Sequence, residues 1–586
     1  MYILGISCFY HDSSATLLKD GKIVAAAQEE RFTRKKHDVS FPKLAVEYCL
    51  KSENIGIEDI DYIGFYEKPL VKFDRFLSQH LEMFPWSYKI FLASIPAWIS
   101  EKLRILKIIK KELKYKKDVL FVEHHMAHAA GSFFVSPFKK SAIVTVDGVG
   151  EWTTTAYGIG KENNIELQKE IKFPSSLGLL YSTITAYLGF SVNNSEYKVM
   201  GLSPYGNMDR NTNEYYKKMK NVIDIKKDGS YQLNMDYFKY HYGTRMPSKK
   251  LCELLEGNIR KPESEITQRH KDIAAAVQLI TEDVLITILK HVYEVTKEKN
   301  LVIAGGVGLN SVLNGKILKK TKFKKIWIQP DPGDGGTSLG VASYVYHGML
   351  NNPRNYELKS AALGPEFTHG EIKDYLIKNN IKFSEFENNK NMIKEVAKLL
   401  LNNNVIGWFQ GRMEWGPRAL GNRSILSNAT NPEMKEILNL KVKHREKFRP
   451  FAPVVCDNDA LKYFDCDKPV PIPTDFMLMV YPVKKQWQKK IPSVTHVDGS
   501  GRLQTIRRNQ NILYYDLIKE FGKISGIPIL INTSFNIRGE PIVCNPHDAY
   551  KCMMGTGIDY LVMDKFLIKR EDNPKDMWDS EIYARD

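Results

Sequence analysis

The chain has 586 residues, of which 43% are hydrophobic and 26% are charged. This ordinary globular composition excludes wholesale disorder, a collagen-like repeat and a small disulfide-stabilised scaffold. Lysine and arginine total 84 against 68 acidic residues, for a formal net charge of +16, which is compatible with nucleic acid, an anionic membrane surface or phosphate-bearing substrates. The seven cysteines include no C-x-x-C pair, which argues against a zinc ribbon and favours a reducing, cytoplasmic location.

Two segments of the first half share one pattern. Residues 3–7 form an apolar run that is followed by HDSSA, a second apolar run and the Asp20–Gly21 turn. The pattern recurs from residue 141, where AIVTVDGVGEW precedes TTTAYGIGK. Apolar runs joined by short polar bends predict β-hairpins. We therefore expect a duplicated α/β subdomain.

Residues 83–117 combine an apolar stretch with a basic one. The apolar part, 83–100, is interrupted by Pro85, Lys89 and Pro96, so it lacks the run of about 20 apolar residues that a spanning helix needs. The following KLRILKIIKKELKYKK holds eight lysines and arginines against one acid. The segment is most typical of a solvated helical lid, and a hairpin that docks on a membrane surface or a partner is the alternative.

The sequence VEHHMAHAAG contains the first group with metal-binding chemistry. His124 and His128 are four residues apart, so a helix places both imidazoles on one face. The place of the glutamate in H-E-x-x-H is taken by His125, which argues against a zinc protease. Asp147 and Asp334 each follow an apolar strand. A set of nitrogen and oxygen donors suits Fe(II), Mn(II) or Zn(II).

Glycine-rich turns follow apolar runs at residues 147–150, 305–310 and 333–336. Glycine allows the backbone amides to approach phosphate oxygens, and a helix behind the turn adds a positive dipole. Apolar residues recur with a helical period over residues 272–297, which predicts one long helix leading into the turn at 305–310. Together these features predict alternating α/β structure with a nucleotide site, and the polar stretch 351–359 predicts a domain boundary.

Basic motifs dominate the second half of the chain. GRMEWGPRALGNRSIL at 411–426 and KVKHREKFRPFAP at 441–453 interleave arginines and lysines with residues that favour burial, such as Trp415 and Phe448. A buried guanidinium needs an anion, and arginine presents a planar fork to phosphate or carboxylate. INTSFNIRGEP at 531–541 adds polar groups after an apolar strand. The motifs predict an anion site.

Nine motifs occur in order along the chain. Those of the first half are HDSSA, HHMAHA, TVDGVGE, EYKVMGLSPYG, GGVGLN and DPGDGGTSLG, and those of the second half are GRMEWGPRALGNRSIL, FRPFAP and NTSFNIRGEPIV. Together they resemble the NodU-type O-carbamoyltransferase family. The resemblance covers nearly the whole chain, with 83–117 falling between its motifs. It implies an α/β fold with a duplicated actin-like ATPase (ribonuclease-H-like) domain over residues 1–350, related to the threonylcarbamoyl-transfer enzyme of tRNA modification. A YrdC-like α/β domain that activates carbamoyl phosphate is implied over 351–586.

The resemblance also implies an activity. Enzymes of this family convert carbamoyl phosphate and ATP to carbamoyl adenylate, and then transfer the carbamoyl group to a hydroxyl of a sugar or other small natural product. The expected cofactors are ATP and a divalent metal, in this family usually Fe(II), with Mg accompanying ATP. We expect a cytoplasmic enzyme without a nucleic-acid partner, with a dimer as one expectation for its oligomeric state. Peripheral membrane contact through 83–117 stays open.

Site residues carried over from the family fall into three groups. The metal ligands would be His124, His128, Asp147 and Asp334, and His11 would be the base that takes the acceptor proton. The nucleotide would be lined, together with Asp334, by Gly148, Gly150, Lys198, Gly305, Gly306 and Asn310. Carbamoyl phosphate would be held by Arg418, Lys443, Arg449, Arg502, Asn532 and Ser534. Lys443 and Arg449 are expected to be catalytic, and whether Arg445 or Arg449 is the closer contact stays open.

Three other functions fit parts of the sequence. A carbamoyl-type tRNA-modifying enzyme would use the same folds and the positive charge, although that charge is spread along the chain apart from 102–117. A non-catalytic protein that retains only ATP affinity would not need the complete set of metal ligands. A small-molecule kinase of the actin-like class would need neither HHMAH nor the arginine-rich second half.

Overall fold

The computed structural model describes residues 1–193 and 195–574 and divides the chain into two units. Residues 1–29 and 39–358 form the first unit, and residues 30–38 join the chain from 359 onward in the second. The sequence analysis placed a single boundary between 350 and 351 and assigned 30–38 to the first domain. The structure places residues 30–38 in the second unit instead, because of contacts that are described below.

Two five-stranded sheets organise the first unit. Its strands are β1 (Tyr2–Ser7), β2 (Ser14–Lys19), β3 (Lys22–Gln28), β4 (Tyr62–Phe65), β5 (Val119–Phe121), β6 (Lys140–Val146), β7 (Thr153–Lys161), β8 (Asn164–Lys172), β9 (Ile223–Ile225), β10 (Tyr231–Leu233), β11 (Asn300–Ala304) and β12 (Lys325–Ile328). The sheets have the orders β3-β2-β1-β4-β5 and β8-β7-β6-β11-β12, while β9 and β10 form a separate hairpin.

The two sheets have the same topology. In each sheet, the first strand along the chain pairs antiparallel with the second and parallel with the fourth. The second and third strands are also antiparallel, and the fourth and fifth are also parallel. Three antiparallel strands followed by two parallel ones, twice in one unit, is the duplicated ribonuclease-H-like arrangement. The predicted α/β class and the predicted duplication are confirmed.

Helices lie between and after these strands. The first, α1 (Glu30–Thr33), belongs to the second unit, and those of the first unit are α2 (Lys43–Ser52), α3 (Pro69–Glu82), α4 (Tyr88–Ser100), α5 (Ile105–Leu113), α6 (His124–Phe133), α7 (Leu177–Tyr187), α8 (Glu196–Leu202), α9 (Glu214–Met219), α10 (Lys249–Leu254), α11 (Gln268–Thr296), α12 (Ser311–Lys320) and α13 (Thr337–Ser343). The predicted helix 272–297 is confirmed as α11, with a slightly earlier start. Among helices of the described residues, none combines the length and apolar character that a membrane crossing requires.

Glycines bring two helices close together and so position the site. A Cβ at Gly340 of α13 would overlap the Ala127 carbonyl of α6, and one at Gly131 would lie 3.0 Å from the Gly340 Cα. A Cβ at Gly5 of β1 would likewise overlap the Ser338 carbonyl of α13. Only glycine permits backbones to approach this closely. The helix carrying the histidines and the helix that follows Asp334 therefore pack directly against each other.

A nine-stranded mixed sheet forms the second unit, in the order β13-β21-β20-β14-β15-β19-β16-β18-β17. Its strands are β13 (Ser384–Glu385), β14 (Ile406–Phe409), β15 (Arg423–Asn428), β16 (Ala452–Cys456), β17 (Met479–Pro482), β18 (Ser500–Ile506), β19 (Ile529–Ser534), β20 (Tyr560–Met563) and β21 (Phe566–Lys569). The helices are α14 (His369–Lys378), α15 (Asn389–Leu401), α16 (Met434–Ile437), α17 (Ala460–Tyr463), α18 (Lys485–Gln488), α19 (Ile512–Ser525) and α20 (Pro546–Met554). Trp408, Leu517 and Phe521 are fully buried in the core shared with α15 and α19.

Candidate functional site

Two histidines of α6 face the same point. His124 and His128 lie one helical turn apart, and their Nε2 atoms are 3.0 Å from each other. Both side chains are buried. The carboxylate of Glu151 accepts hydrogen bonds from the His124 backbone N–H at 3.1 Å through each oxygen. An anion at the positive end of a helix is stabilised, so Glu151 fixes the first turn of α6 and the position of His124.

Two carboxylates complete the group. Asp147 follows β6 and Asp334 follows β12, so the ends of two strands in one sheet deliver them to the same place. Oδ2 of Asp147 lies 3.3 Å from His124 Nε2 and 3.9 Å from His128 Nε2. Oδ1 of Asp334 lies 3.6 Å and 3.4 Å from the same two atoms. The structure thus brings together all four side chains that the sequence analysis named as ligands.

The donor set fits a divalent metal ion. The four ligand atoms lie within 4.8 Å of one another, and all four residues are buried. Donors placed about 2.1 Å from one ion are roughly 3.0–3.4 Å apart when they are neighbours in its coordination sphere, and three of the distances here, 3.0, 3.3 and 3.4 Å, lie in that range while 3.6 and 3.9 Å are slightly longer. Two carboxylates are costly to bury together, and the Asp334 Oδ2 atom has no hydrogen-bond partner in the structure. A dication at this point would balance both charges.

The surroundings of the three histidines differ. Burial lowers the pKa of His124, but Asp334 and the hydrogen bond with Asp147 raise it to about 9. Burial would raise the pKa of Asp147, but His124 and His128 hold it well below its usual range. Burial, His124 and His128 lower the pKa of His125 to about 3, and its Nδ1 lies 2.7 Å from the Thr145 hydroxyl. His125 is therefore a neutral residue that points away from the ligand atoms.

His11 lies at the edge of this group. Its Nε2 is 3.7 Å from Asp334 Oδ2 and its Nδ1 is 2.9 Å from Asp12 Oδ2. Burial would lower the pKa of His11, but Asp334 and the hydrogen bond with Asp12 raise it to about 10. The imidazole is 22% exposed, so it can meet a substrate. It is protonated near neutral pH as long as the charge of Asp334 is not compensated.

The predicted glycine turns border the four ligands. The Gly306 N–H donates to Asp147 Oδ1 at 2.7 Å. A Cβ at Gly150 would lie 2.9 Å from the Cβ of His124. Gly305 has a φ of +90° and a Cβ there would overlap the Val146 carbonyl, so the position requires glycine. The Gly148 carbonyl accepts from the Ser176 hydroxyl at 2.6 Å.

Two further residues predicted to line a nucleotide have roles within the fold. Asn310 exchanges hydrogen bonds with Gln278 at 3.0 and 3.2 Å and caps α12 by accepting from the Leu313 N–H at 3.1 Å. Lys198, on α8, is buried, and its ammonium lies 5.4 Å from the centre of the Phe190 ring. Asn310 therefore helps to fix the turn that carries Gly305 and Gly306.

In the second unit, Lys443 is the centre of a buried polar cluster. Its Nζ donates to the Ser534 carbonyl and, at 2.8 Å, to both the carbonyl and the Oδ1 atom of Asn536. Burial, Arg445 and Arg449 hold the pKa of Lys443 well below its usual range. An ammonium has three protons, and these acceptors use them. Lys443 therefore fixes the turn after β19 through these hydrogen bonds.

Other predicted anion ligands surround the end of β19. Asn532 is buried and donates to Gln504 Oε1 at 2.6 Å and to the Ala419 carbonyl at 3.2 Å. Gln504 lies two residues after Arg502 on β18, and successive alternate residues of a strand share a face. Arg418 precedes Ala419 in the chain. Asn536, expected from the sequence to offer a polar group here, contacts Lys443, whereas Gln504, which contacts Asn532, was not expected, and the motif GRLQT that contains it was the available signal.

The arginines of the basic motifs differ in their partners, which are side chains for Arg445 and Arg449 and main-chain carbonyls for Arg423. Arg449 is buried with its Nε 2.6 Å from Glu446 Oε2, and Arg445 donates to Asn439 Oδ1 at 2.8 Å. Arg423 is fully buried, yet its guanidinium donates to the carbonyls of Gln410, Gly411 and Pro365. Both terminal nitrogens of the Arg423 guanidinium therefore donate to main-chain carbonyls, so burial of an arginine in these motifs does not by itself indicate an anion site.

Residues 30–38 bring a basic segment into the second unit. Arg31 donates to the Gly416 carbonyl at 2.9 Å. Arg34 donates to the carbonyls of Ile542 and Pro541 at 2.7 and 2.9 Å. Phe32 packs against a small apolar cluster that includes Ile542 and Cys544. These contacts tie 30–38 to the GRMEWGPRAL and NTSFNIRGEPIV motifs, which explains why the segment leaves the first unit.

Family comparisons agree with this division of motifs. Residues 2–343 match the family model "Carbamoyltransferase N-terminus", and residues 397–570 match "Carbamoyltransferase C-terminus". The chain belongs to the carbamoyltransferase family. The four predicted metal ligands lie inside the first match, and Lys443, Arg449 and β19 lie inside the second. This carbamoyltransferase is therefore an enzyme, and the alternative of a non-catalytic binding protein is not favoured.

Relatives of this carbamoyltransferase span its full length. It is 45% identical to protein sll1178 of Synechocystis sp., over 98% of this chain and 97% of that one. It is 34% identical to the nodulation protein NolNO of Sinorhizobium fredii, over 97% of this chain and 80% of that one. Among solved structures, component A of the (R)-2-hydroxyglutaryl-CoA dehydratase of Acidaminococcus fermentans aligns with a TM-score of 0.31 and 14% identity, over 60% of this chain and 99% of that one.

Proposed function

We propose that this carbamoyltransferase uses ATP to convert carbamoyl phosphate to carbamoyl adenylate and transfers the carbamoyl group to a hydroxyl of a sugar or other small natural product. The observation that carries the proposal is the buried group of two histidines and two aspartates with His11 beside it, 3.7 Å from Asp334. A centre of this kind suits acyl-type transfer, in which a carbonyl is polarised and a hydroxyl proton is removed.

The activation half-reaction is assigned to the second unit. Water releases phosphate from carbamoyl phosphate and leaves carbamate; a carbamate oxygen then forms a bond with the α-phosphorus of ATP, and pyrophosphate leaves. The buried Lys443 and Arg449 supply positive charge, and Ser534 and Asn532 supply polar groups at the end of β19. Buried cations aimed at a transferring phosphoryl group stabilise the charge that develops there. Carbamate decomposes readily in water, so a buried location for this step protects the intermediate.

The transfer half-reaction is assigned to the first unit. The acceptor hydroxyl attacks the carbamoyl carbon, the bond from that carbon to the adenylate oxygen breaks, and AMP leaves. His11 is placed to take the acceptor proton, because its ring nitrogen is next to a ligand carboxylate and partly exposed. The glycine turns at 148–150 and 305–306 would border the nucleotide, because the absence of side chains lets the backbone approach a phosphate closely.

Iron(II) is the metal that we propose for His124, His128, Asp147 and Asp334. Two imidazoles with two carboxylates form a mixed donor set of intermediate softness, and the chain offers no thiolate at this point. When bound, the ion supplies Lewis acidity for the carbamoyl carbonyl. Gly306, through its 2.7 Å hydrogen bond, orients Asp147, and Glu151 orients His124 from the helix terminus. Such outer contacts hold metal ligands in place.

The test separates the two half-reactions. Anaerobically purified protein is incubated with Fe(II), ATP and carbamoyl phosphate, without acceptor, and AMP and pyrophosphate are measured. We expect pyrophosphate from the wild type and its loss in Arg449→Ala, while Arg508→Ala, which removes a guanidinium that is 63% exposed on the same unit, serves as the matched control. His128→Ala is expected to keep pyrophosphate formation and to lose carbamoyl transfer to an added hydroxylated acceptor.

Other products would identify other functions. ADP and free phosphate would assign the chain to the kinase chemistry. Carbamoyl transfer to a tRNA, with steep salt dependence of RNA binding, would support the tRNA-modifying alternative, which the family comparisons do not favour. No nucleotide turnover with carbamoyl phosphate under any divalent metal would contradict the proposed activation step.

A further inference from the structure

Exposed apolar side chains are concentrated in one segment. Among the described residues, twenty large hydrophobic side chains are exposed, and nine of them lie between residues 70 and 106. Soluble proteins expose single apolar residues everywhere, but a contiguous group marks an interaction surface. The nine residues, which we name the apolar patch, are Leu70, Val71, Leu81, Phe84, Trp86, Tyr88, Leu92, Ile99 and Leu106.

Helix α4 is the most unusual part of this segment. Its sequence is YKIFLASIPAWIS, in which the single charge is Lys89, and yet Trp98 is its one buried residue. Thirteen residues rise about 20 Å, which is shorter than the roughly 30 Å of a hydrocarbon core. The helix is therefore suited to lying on an apolar medium and not to crossing one.

The segment is nevertheless a packed structure. The ring of Trp98 lies 5.3 Å from that of Phe73 and 5.2 Å from that of Phe76, and Phe91 stacks on Phe76 at 5.6 Å. Ile105 and Ile109 are buried on α5. Helices α3 and α4 thus pack through aromatic contacts and α5 through buried isoleucines, while the side chains of the apolar patch stay exposed.

Basic side chains adjoin the apolar patch. On α5 and on either side of it, the exposed basic residues are Arg104, Lys107, Lys111, Lys114, Lys116 and Lys117. Residues 102–117 contain a single acid, Glu112. Tryptophan and tyrosine at a polar–apolar boundary, as in Trp86 and Tyr88, together with a neighbouring lysine and arginine cluster, match the chemistry of a membrane interface that carries anionic headgroups.

We propose that α3, α4 and α5 form a surface that binds anionic phospholipid membranes peripherally. The apolar patch enters the headgroup boundary, and the lysines and arginines of 102–117 attract the negative surface. A second copy of this chain is the less fitting occupant, because an isologous contact would bring two identical basic clusters together. Binding here would hold the enzyme where amphipathic acceptors reside.

The experiment uses the full-length protein and vesicles without any substrate, so its outcome is independent of the proposed carbamoyl chemistry. Co-sedimentation is measured with vesicles of phosphatidylcholine and with vesicles of equal parts phosphatidylcholine and phosphatidylglycerol. We expect binding to the anionic vesicles, weak binding to the neutral ones, and loss at high salt. A blue shift of tryptophan emission is expected with anionic vesicles and is expected to be smaller in Trp86→Phe, because Trp86 is 74% exposed.

Two pairs of variants identify the surface. Trp86→Ser combined with Leu92→Gln removes apolar contact, and Lys107→Glu combined with Lys111→Glu reverses charge; each is expected to weaken binding on the order of tenfold or more. Ile512→Gln, 57% exposed on α19, and Lys249→Glu, 90% exposed on α10, are the matched controls and are expected to bind as the wild type does. All substituted side chains are exposed, and unchanged thermal unfolding verifies folding.

Three outcomes would overturn the proposal. They are absence of vesicle binding by the wild type, binding that the patch variants leave intact, and binding that does not distinguish anionic from neutral lipid. Dimers in sedimentation equilibrium that Leu92→Gln dissociates would show instead that a second copy covers this surface.

Discussion

At the scale of single residues, His125 and His128 of α6 face different partners, so substituting each in turn tests the proposed metal site. His128 directs its Nε2 toward His124, Asp147 and Asp334, whereas His125 contacts Thr145. We expect His128→Asn to lose bound metal, measured by mass spectrometry of the protein after anaerobic loading and desalting. His125→Asn is expected to retain it, since the substituted side chain does not face the ligand atoms.

Equal loss of metal in both histidine variants would mean that the helix, and not the donor set, was damaged. Asp334→Asn provides the independent check, because it keeps the shape of the side chain on another element and removes a charge. Wild-type metal content in Asp334→Asn would contradict the assignment of Asp334 as a ligand.

Gly150 tests the packing behind the ligands. A methyl group at this position would lie 2.9 Å from the Cβ and 3.0 Å from the Cδ2 of His124. Overpacking of this size costs about 1–3 kcal/mol unless the neighbour moves, and movement of His124 displaces a ligand. We expect Gly150→Ala to lower metal affinity and thermal stability together.

The control for Gly150 is Gly370, on the exposed side of α14. A Cβ there meets nothing within 4 Å, and alanine is favoured over glycine in a helix by about 0.5–1 kcal/mol. Gly370→Ala is expected to leave metal binding unchanged and to raise the free energy of unfolding slightly. If Gly150→Ala binds metal as the wild type does, the close contact with His124 has no functional consequence.

How much of the site was predictable depends on the kind of residue. The spacing of His124 and His128 and the position of Asp147 and Asp334 after apolar strands are local patterns, and they lead directly to one cluster. Arg423 and Lys443 could not be interpreted in the same way, because the acceptors that satisfy a buried cation come from distant parts of the chain. Their partners, the Gln410 carbonyl and the Asn536 side chain, are known only once the chain is folded.

At the scale of elements, the segment 30–38 is the clearest departure from the sequence analysis. Apolar periodicity predicts α11 and the repeated hairpins, because each element encodes its own face toward the core. No such pattern states which domain a short basic segment joins. Arg31 and Arg34 donate to the carbonyls of Gly416, Pro541 and Ile542, and the side chain at a position does not show that its carbonyl will be such an acceptor.

The contacts of 30–38 predict a stability effect in the second unit. Arg34→Ala removes two hydrogen bonds to buried carbonyls, which costs about 1–3 kcal/mol. We expect faster amide hydrogen exchange around residues 411–423 and 537–548, and little change in β6 or α6. Lys35→Ala, at an exposed neighbouring position, is the control. If Arg34→Ala loosens β1–β5 instead, the segment belongs functionally to the first unit.

At the scale of the whole molecule, two kinds of charge are assigned to two units. The two carboxylates proposed as metal ligands, Asp147 and Asp334, are buried in the first unit, and the buried side chains Lys443, Arg423 and Arg449 of the basic motifs lie in the second. The net charge of +16 does not reveal where in the fold these charged residues lie. The proposed ligands follow the same division, because a dication is proposed for the first unit and a phosphate-bearing anion for the second.

This separation predicts which unit each ligand stabilises. A ligand that binds only the folded state at a hundredfold excess over its Kd adds about 2.7 kcal/mol to the free energy of unfolding. We expect Fe(II) or Mn(II), added anaerobically, to slow hydrogen exchange in β6, α6 and the turn after β12. Carbamoyl phosphate is expected to slow exchange in β19 and around Lys443. His128→Asn is expected to abolish the first effect and spare the second, and Arg449→Ala the reverse. Protection of β6 and α6 by carbamoyl phosphate in the absence of metal and ATP would contradict its assignment to the second unit, because no cationic cluster on those elements accounts for it.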